Sequence, residues 1–478
     1  MRRVCTPAQR RSVHCAAATV AAVVVACSDP TGASGRGAGA GTSRLVVTVT
    51  RPAGDTLSQL GVEFTARLRD SVPMRALVLY VDSGATARPT YAYTFGVYGT
   101  VPLPSLAGVA FAPAETGRHT FTLVATDTAG RTASATFART FAVPDEPYAV
   151  AALPDLGNGA GPVGLTAGGD VAGWVGASGG RVRPAVWRAG ALQLPAVPDT
   201  ADAIAVRTNA AGDVLLQIGG RFGVTTTSAR VLRADGALLA LGPRDYKFSW
   251  TTNAGTPASP CCSLAADLNE GRVAVGASYG PANNDQSVVF DVARGAVVDS
   301  ADFRALVVNG AGRAAGIQQG NADYQYENYF ALRTLGFATP PVSPPGYRYN
   351  GYCGAAHGIG LTQSKPVDLD DADALLLNDC GNGIYIPPGG APVFVDRYVG
   401  PGTQVHLSRQ GGIVAALDAA GAIHLWRAGT TRVTRVRTAQ GAWYFDSLAA
   451  VNARGQIAVL ATDRTTGRLG ALLLTPGS

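Results

Sequence analysis

One short text keeps returning in this chain, and it limits what the chain can fold into. It reads as an apolar run, an Asn, a tight turn closing in Gly, and a second apolar run: "RTNAAGDVLL" at 207–216, "DLNEGRVAVG" at 267–276, "VVNGAGRAAG" at 307–316 and "VNARGQIAVL" at 451–460. With weaker copies included, the turn ends at Gly169, Gly212, Gly271, Gly312, Asp373, Gly412 and Gly455, at intervals of 43, 59, 41, 61, 39 and 43 residues. That is a period near 42 with two insertions. Each turn is followed by an apolar strand, a loop and another apolar strand such as "PAVWRAG" or "IHLWRAG", and in most copies by a third apolar run. Four short strands per 40-odd residues make one blade of a β-propeller, a unit that buries its faces only by stacking on its neighbours. Seven copies predict seven blades over 148–478.

Composition agrees with an all-β reading. Of 478 residues, 60 are Gly and 29 Pro, which punctuate turns and interrupt helices, while only 15% are charged. The ends of the repeat region are complementary. The last copy stops at "GALLLTPGS", one strand short, and "YAVAALPDLG" (148–157) has the character of the missing strand. We therefore expect 148–156 to pair with 469–475 and leave no sheet edge open.

The Asn-x-x-Gly-x-Val-x-x-Gly text with a later Ala-x-Trp resembles the bacterial extracellular repeats named after a His-Ala-Phe triplet. The triplet itself is absent, the Asn stands only at Asn209, Asn269, Asn309 and Asn452, and the fifth copy reads "VDLDDADALLL". That family implies no defined activity.

Upstream, residues 44–144 alternate in β-like runs and end in a hairpin signal around Asp127-Thr128-Ala129-Gly130. The text from Gly117 onward resembles the closing hairpin of bacterial immunoglobulin-like modules, which implies an Ig-like β-sandwich of about seven strands serving as a spacer. Asp127 is expected to cap its turn rather than bind calcium.

Residues 1–26 hold four Arg and no acid, then a 12-residue apolar run from Cys15 to Ala26, too short to span a bilayer but long enough for a signal peptide. Val24-Val25-Ala26-Cys27 resembles the lipobox of bacterial lipoproteins. This implies lipidation of Cys27 and, with Ser28 next, outer-membrane export, facing either the periplasm or the medium. Residues 27–43 form a Gly/Ser-rich tether of roughly 20–25 Å reach. Without residues 1–26 the formal charge of +6 falls to +2, 35 basic against 33 acidic residues, with no basic run left to track phosphates; nucleic acid is not an expected partner. The expected partners are the membrane, through Cys27, and envelope polysaccharide or another envelope protein.

Up-and-down strands place alternate connections at opposite ends. The tight turns share one end, and the long connections 243–262, 276–285, 317–327, 338–366 and 378–383 share the other, where binding residues usually sit. Tyr324, Tyr326, Tyr347, Arg348, Tyr349, Tyr352 and His357 cluster there in sequence and form the candidate ligand-binding patch. Tyr offers a flat apolar face and a hydroxyl, and the competing reading is that these rings only pack the loops down. Cys353 and Cys380 are the disulfide expected in an exported chain; Cys261 and Cys262 form a vicinal bridge or take other partners.

No catalytic residue, metal site or cofactor is expected. Gly176–Gly180 and Gly276–Gly280 match a Gly-x-Ser-x-Gly pattern, but both fall at one phase of the repeat with no helix signal behind them. The acidic "DLDDAD" (368–373) lacks the Gly and distal Glu of a calcium loop. The leading reading is a non-enzymatic, lipid-anchored module for ligand or partner binding. Its rivals are a polysaccharide lyase or glycosidase working through Arg348, Tyr352 and His357, and an architectural envelope protein.

Overall fold

The computed structural model describes residues 46–51, 56–57, 62–69, 74–82, 89–94, 106–111, 117–197, 202–219, 228–241, 263–279, 285–301, 304–319, 328–334, 365–379, 382–390, 392–399, 402–418, 420–438 and 441–477. The chain is all-β, built of many small sheets, with one four-residue helix (Asp396–Val399) among the described residues. Arg44–Ser478 forms one compact unit.

The N-terminal part contains two sheets. One joins Val46–Arg51, Val62–Arg69 and Leu106–Phe111; the other joins Thr56–Leu57, Thr132–Phe141, Gly117–Asp127, Met74–Val81 and Pro89–Thr94. Thr56–Leu57 and Leu106–Phe111 bring the strands among the described residues to eight, one more than expected. The hairpin turns at Asp127, which is fully buried and accepts from Arg131 N (2.8 Å) and Arg131 Nε (2.6 Å), so it does cap the turn.

From Ala160 on, each repeat contributes its own antiparallel strands. The first repeat, for instance, runs Ala160–Leu165, Val171–Gly176, Val182–Arg188 and Ala191–Gln193, side by side in that order. Successive repeats pack face to face, and each junction has its own apolar core. Val186 meets Leu216 between repeats one and two. Val231 and Phe290 share the core between two and three. Val289 meets Val308, and Val307 meets Leu375. Leu376 meets Val414, Leu425 meets Val459, and Ala458 returns to Val171 of the first repeat. The junctions thus form a closed circuit.

The repeated turn follows one pattern. A side-chain oxygen at its first residue accepts the N–H four residues on: Thr166 from Asp170, Asn209 from Asp213, Asn269 from Val273, Asn309 from Arg313, Asp370 from Ala374 and Asn452 from Gln456, all at 2.7–3.0 Å. Ser408 does the same for Ile413, five residues on, because that turn is one residue longer. The last residue of the turn needs positive φ, which Gly supplies at Gly212 (91°) and Gly455 (76°). In the third repeat the residue in this place is Arg272 (φ 62°), not Gly271 as the sequence suggests, and in the fifth it is Asp373 (φ 72°).

The expected closing pair is present: Leu472↔Ala152 through Pro476↔Tyr148, antiparallel. The linker strand is shifted from the expected 148–156, however, and spans Asp145–Ala152. It starts at Asp145, and Asp145–Tyr148 also pairs in parallel with Arg435–Thr438, which merges the sixth and seventh repeats into one eight-stranded sheet. Arg435 Nε donates to Asp145 at 2.7 Å and favours this register.

Asn452 is buried, accepts from Arg454 N and Gln456 N, and donates across the closure to Thr166 O at 3.1 Å. Asn452→Ala should therefore cost about 2 kcal/mol by leaving buried groups unpaired, read as a lower denaturant midpoint at unchanged slope.

Candidate functional site

The turns do more than reverse the chain. Each Asn side chain has an amide left over after capping, and the amide reaches the next repeat: Asn209 Nδ2 to Asn269 O (3.4 Å), Asn269 Nδ2 to Asn309 O (2.8 Å), Asn309 Nδ2 to Asp370 O (2.9 Å), and Asn452 Nδ2 to Thr166 O. Other groups serve the junctions without an Asn. Asp371 N donates to Arg409 O (2.8 Å), Leu448 N to Gln404 Oε1 (2.6 Å) and Arg207 Nη1 to Val163 O (2.9 Å). Every junction of the circuit is bridged.

Inside the turns lies a charged cluster. The first strand of most repeats skips one residue in register just before the turn: Val163, Val206, Ala266, Leu306 and Val367 fall between paired neighbours. Such a bulge re-aims the residue that follows it. That residue is Gly164, Arg207, Asp267, Val307 and Asp368 in turn, and His406 stands at the same distance from its turn. Arg207 Nε donates to Asp267 Oδ1 (3.1 Å), and its Nη2 lies 3.9 Å from Asp368. From the sixth repeat, Arg409 Nη2 donates to the same Asp267 Oδ1 (2.6 Å) and to Leu268 O (3.0 Å). Asp267 Oδ2 accepts Val308 N, and Asp368 Oδ2 accepts Leu407 N and bonds His406 Nδ1 (2.9 Å). Gly164 makes room here, since a Cβ would lie 2.8 Å from the Val206 carbonyl oxygen and 2.6 Å from the Arg207 guanidinium.

Above this cluster is a small cavity of about 90 Å³, lined in part by Thr166, Arg207, Glu270, Asp371, Arg409 and Asn452. Its two carboxylates are themselves bridges: Glu270 accepts Ala210 N of the preceding repeat (2.7 Å), and Asp371 accepts Gly310 N (2.8 Å) and Gln410 Nε2 (2.8 Å). No group of three or more His, Cys, Asp or Glu among the described residues is arranged to hold a metal.

Two carboxylates of the turns are perturbed in opposite directions. Burial works to raise Asp213, but the Arg272 fork (2.7 and 2.9 Å), the Asn209 amide and Ala234 N hold it below the ordinary carboxylate range. Asp370 is pushed above that range, by burial first and then by its like-charged neighbours Asp371 and Asp373, against the N–H bonds from Ala374 and Ala372.

Of the residues singled out from sequence, Cys27, Cys261, Cys262, Tyr324, Tyr326, Tyr347, Arg348, Tyr349, Tyr352, Cys353, His357 and Cys380 lie outside the described residues. Ser178 opens a three-residue 3-10 turn that leads into another strand, so Gly176–Gly180 is no strand-to-helix elbow. Each "DLDDAD" carboxylate is engaged by other groups of the protein. Asp368 holds His406, Asp370 caps the turn, Asp371 bridges to Gly310, and Asp373 accepts from Asn309 and Arg313. The axial cluster was missed. Its signal was there, as a charged residue two places before the turn in a strand that is otherwise apolar.

Neither a family model nor a curated protein matches the chain. Solved structures do. A structure described as YCF48 bound to D1 peptide is 12% identical, with a TM-score of 0.41, and the match covers 70% of this chain and 98% of that one. A chain of the mitotic checkpoint complex is 12% identical, with a TM-score of 0.41 and coverage of 69% and 91%. An oligogalacturonate lyase from Vibrio parahaemolyticus is 8% identical, with a TM-score of 0.42 and coverage of 69% and 97%.

Two measurements probe the charged groups of the turns. Asp267→Ala leaves Arg207 and Arg409 without their shared anion and should cost about 3 kcal/mol, whereas an Asp267→Leu/Arg409→Met double variant should cost distinctly less, because fewer buried charges are left unpaired. Asp370→Asn should raise stability by about 1 kcal/mol at neutral pH by removing a buried charge and restoring the repeat's amide. The native carboxyl titrates higher when folded than unfolded, so the wild type gains stability as pH falls through that raised value toward 3.8. The advantage of the variant should therefore shrink over that window, as measured by thermal melts from neutral pH down to about pH 4.

Proposed function

We propose that this chain is a non-enzymatic, lipid-anchored binding protein of the bacterial envelope. In this reading Cys27 carries the lipid, residues 27–43 form the tether, residues 44–144 are an Ig-like sandwich acting as spacer, and residues 148–478 are a seven-bladed propeller that presents the binding surface. One observation carries the division of labour. The charged groups that converge at the turn end, Arg207, Asp267, Glu270, Asp368, Asp371 and Arg409, are each bonded to another repeat. The chemistry of recognition then falls to the opposite end, where segment 320–327 leaves and re-enters its sheet and where the repeat phase assigns the other long, Tyr-rich insertion.

Rings held rigidly at one end and elaborated at the other suit recognition of an extended ligand, because the loops vary while the scaffold stays fixed. Tyr324, Tyr326, Tyr347, Tyr349 and Tyr352, with Arg348 and His357, have the mixed apolar and hydrogen-bonding character that saccharide or peptide surfaces need. Envelope polysaccharide is the proposed ligand class.

The test uses the chain without residues 1–26 and with Cys27→Ser, assayed for retention on purified envelope polysaccharides. Beside it runs a Tyr324/Tyr326/Tyr347/Tyr349→Ala variant of equal thermal stability. The parent should be retained and the variant should not. Failure of both to bind overturns the saccharide reading, and recovery of a protein in a pull-down would then mark an architectural role. Shortened polysaccharide, produced by the parent and lost on Arg348→Ala, Tyr352→Ala or His357→Ala, would instead make the protein an enzyme.

A further inference from the structure

The linker between the N-terminal sheets and the ring is not a hinge. Only Ala142, Val143 and Pro144 separate the strand Thr132–Phe141 from the strand Asp145–Ala152. Val143 is buried, in a core shared with Val395, Val405 and Val433. Pro144 O accepts Arg435 N (2.9 Å), Asp145 takes Arg435 Nε, and Glu146 accepts the Thr434 hydroxyl (2.8 Å). Pro147 O accepts Gly477 N (2.7 Å), and the buried Tyr148 hydroxyl donates to Gly455 O (3.0 Å). Past the strand, Leu153 N donates to Ala471 O, and Pro154 O accepts Trp187 Nε1 (2.8 Å). From Val143 to Pro154 the chain is thus tied to repeats five, six, seven and one, where a flexible linker would instead be solvated.

Strand direction gives this attachment a mechanical sense. Tyr148 lies opposite Pro476, and Ala152 opposite Leu472, so the linker strand starts at the turn end of the ring and runs toward the loop end. Its parallel partner Arg435–Thr438 runs the same way. A pull on the N terminus, resisted by something held at the loop end, acts along the strand axis and loads both ladders at once. A pull between the N terminus and the C terminus instead starts at the Tyr148–Pro476 pair and opens one ladder pair by pair.

We infer that the strand Asp145–Ala152 is a force-bearing clasp, which fuses the N-terminal sheets to the ring and takes tension from the loop end in shear. Its use in a cell rests on the tethered reading above; its mechanics do not. The same geometry directs the loop end away from the side on which the chain joins the ring.

Single-molecule pulling on the full chain tests it. One handle sits at the N terminus, and the other is joined either through a ligation tag at Thr465, in the exposed loop 464–468 at the loop end, or after residue 478. Rupture should need about twofold more force or greater in the first geometry, where hydrogen bonds must fail together, since forced unfolding reads the barrier rather than the equilibrium. Equal forces would overturn the clasp. Hydrogen exchange on the unmodified chain gives a second reading: amides of 145–152 should be protected as strongly as those of Leu469–Pro476, and exchange at the rate of an unstructured linker would overturn it as well. Both readouts proceed without lipid or ligand, so failure of the binding assay and failure of the clasp are separate results.

Discussion

A capped turn that keeps one donor in reserve is the interaction on which the ring depends. An Asn at the head of the turn spends its carbonyl on the N–H four residues later and still has an amide for the neighbouring repeat, as Asn269 does with Val273 and Asn309. A hydroxyl or carboxylate can cap but has no such amide. This explains why Thr166 receives a bond from Asn452 but sends none onward through its side chain, and why the junction after Asp370 is bridged by other groups, the backbone bond from Asp371 to Arg409 and the carboxylates of Asp368 and Asp371. Local turn chemistry and ring assembly are served by one side chain, so a change at that position acts on both.

Charge at the axis follows from the same architecture. The first strands of the repeats converge, and a bulge just before the turn aims one residue of most of them toward its neighbours. Where that residue is Gly164 it makes room, and where it is Val307 it joins the apolar core shared with the fifth repeat; where it is Arg207, Asp267 or Asp368 it must find a partner, because an unpaired ion there would lose most of its hydration. Arg207 and Arg409, from different sides, meet on Asp267. Repeat proteins are usually coupled only between neighbours, and this contact couples the third repeat directly to the sixth. For partly buried groups such as these, desolvation offsets much of the Coulombic gain of pairing.

The linker strand turns an open stack into a closed one. It supplies the outer strand of the seventh repeat, yet it comes from the other end of the repeat region, so closure is a contact of high sequence separation that carries a loop-closure cost. Its second pairing, with Arg435–Thr438, ties the start of the same strand to the sixth repeat. The same residues that close the ring thereby carry whatever load passes between the two parts.

The repeat period, the all-β character and the complementarity of the two ends could be read from the sequence, because each is a local pattern of apolar runs, Asn and Gly. Local pattern also placed Asp127 and Asp370 in their turns. It misplaced the third turn by one residue, since Gly271 masks the fact that Arg272 takes the positive-φ position. It could not show that Asp145 would meet Arg435, that the bulges would turn Arg207 and Asp267 toward each other, or that Arg409 would cross from the sixth repeat to the third. Those contacts join residues 60 to 290 positions apart. Sequence sets periodicity through side-chain chemistry acting over four or five residues, whereas partners across a ring are chosen only when the ring closes and desolvation forces each charge to its nearest opposite.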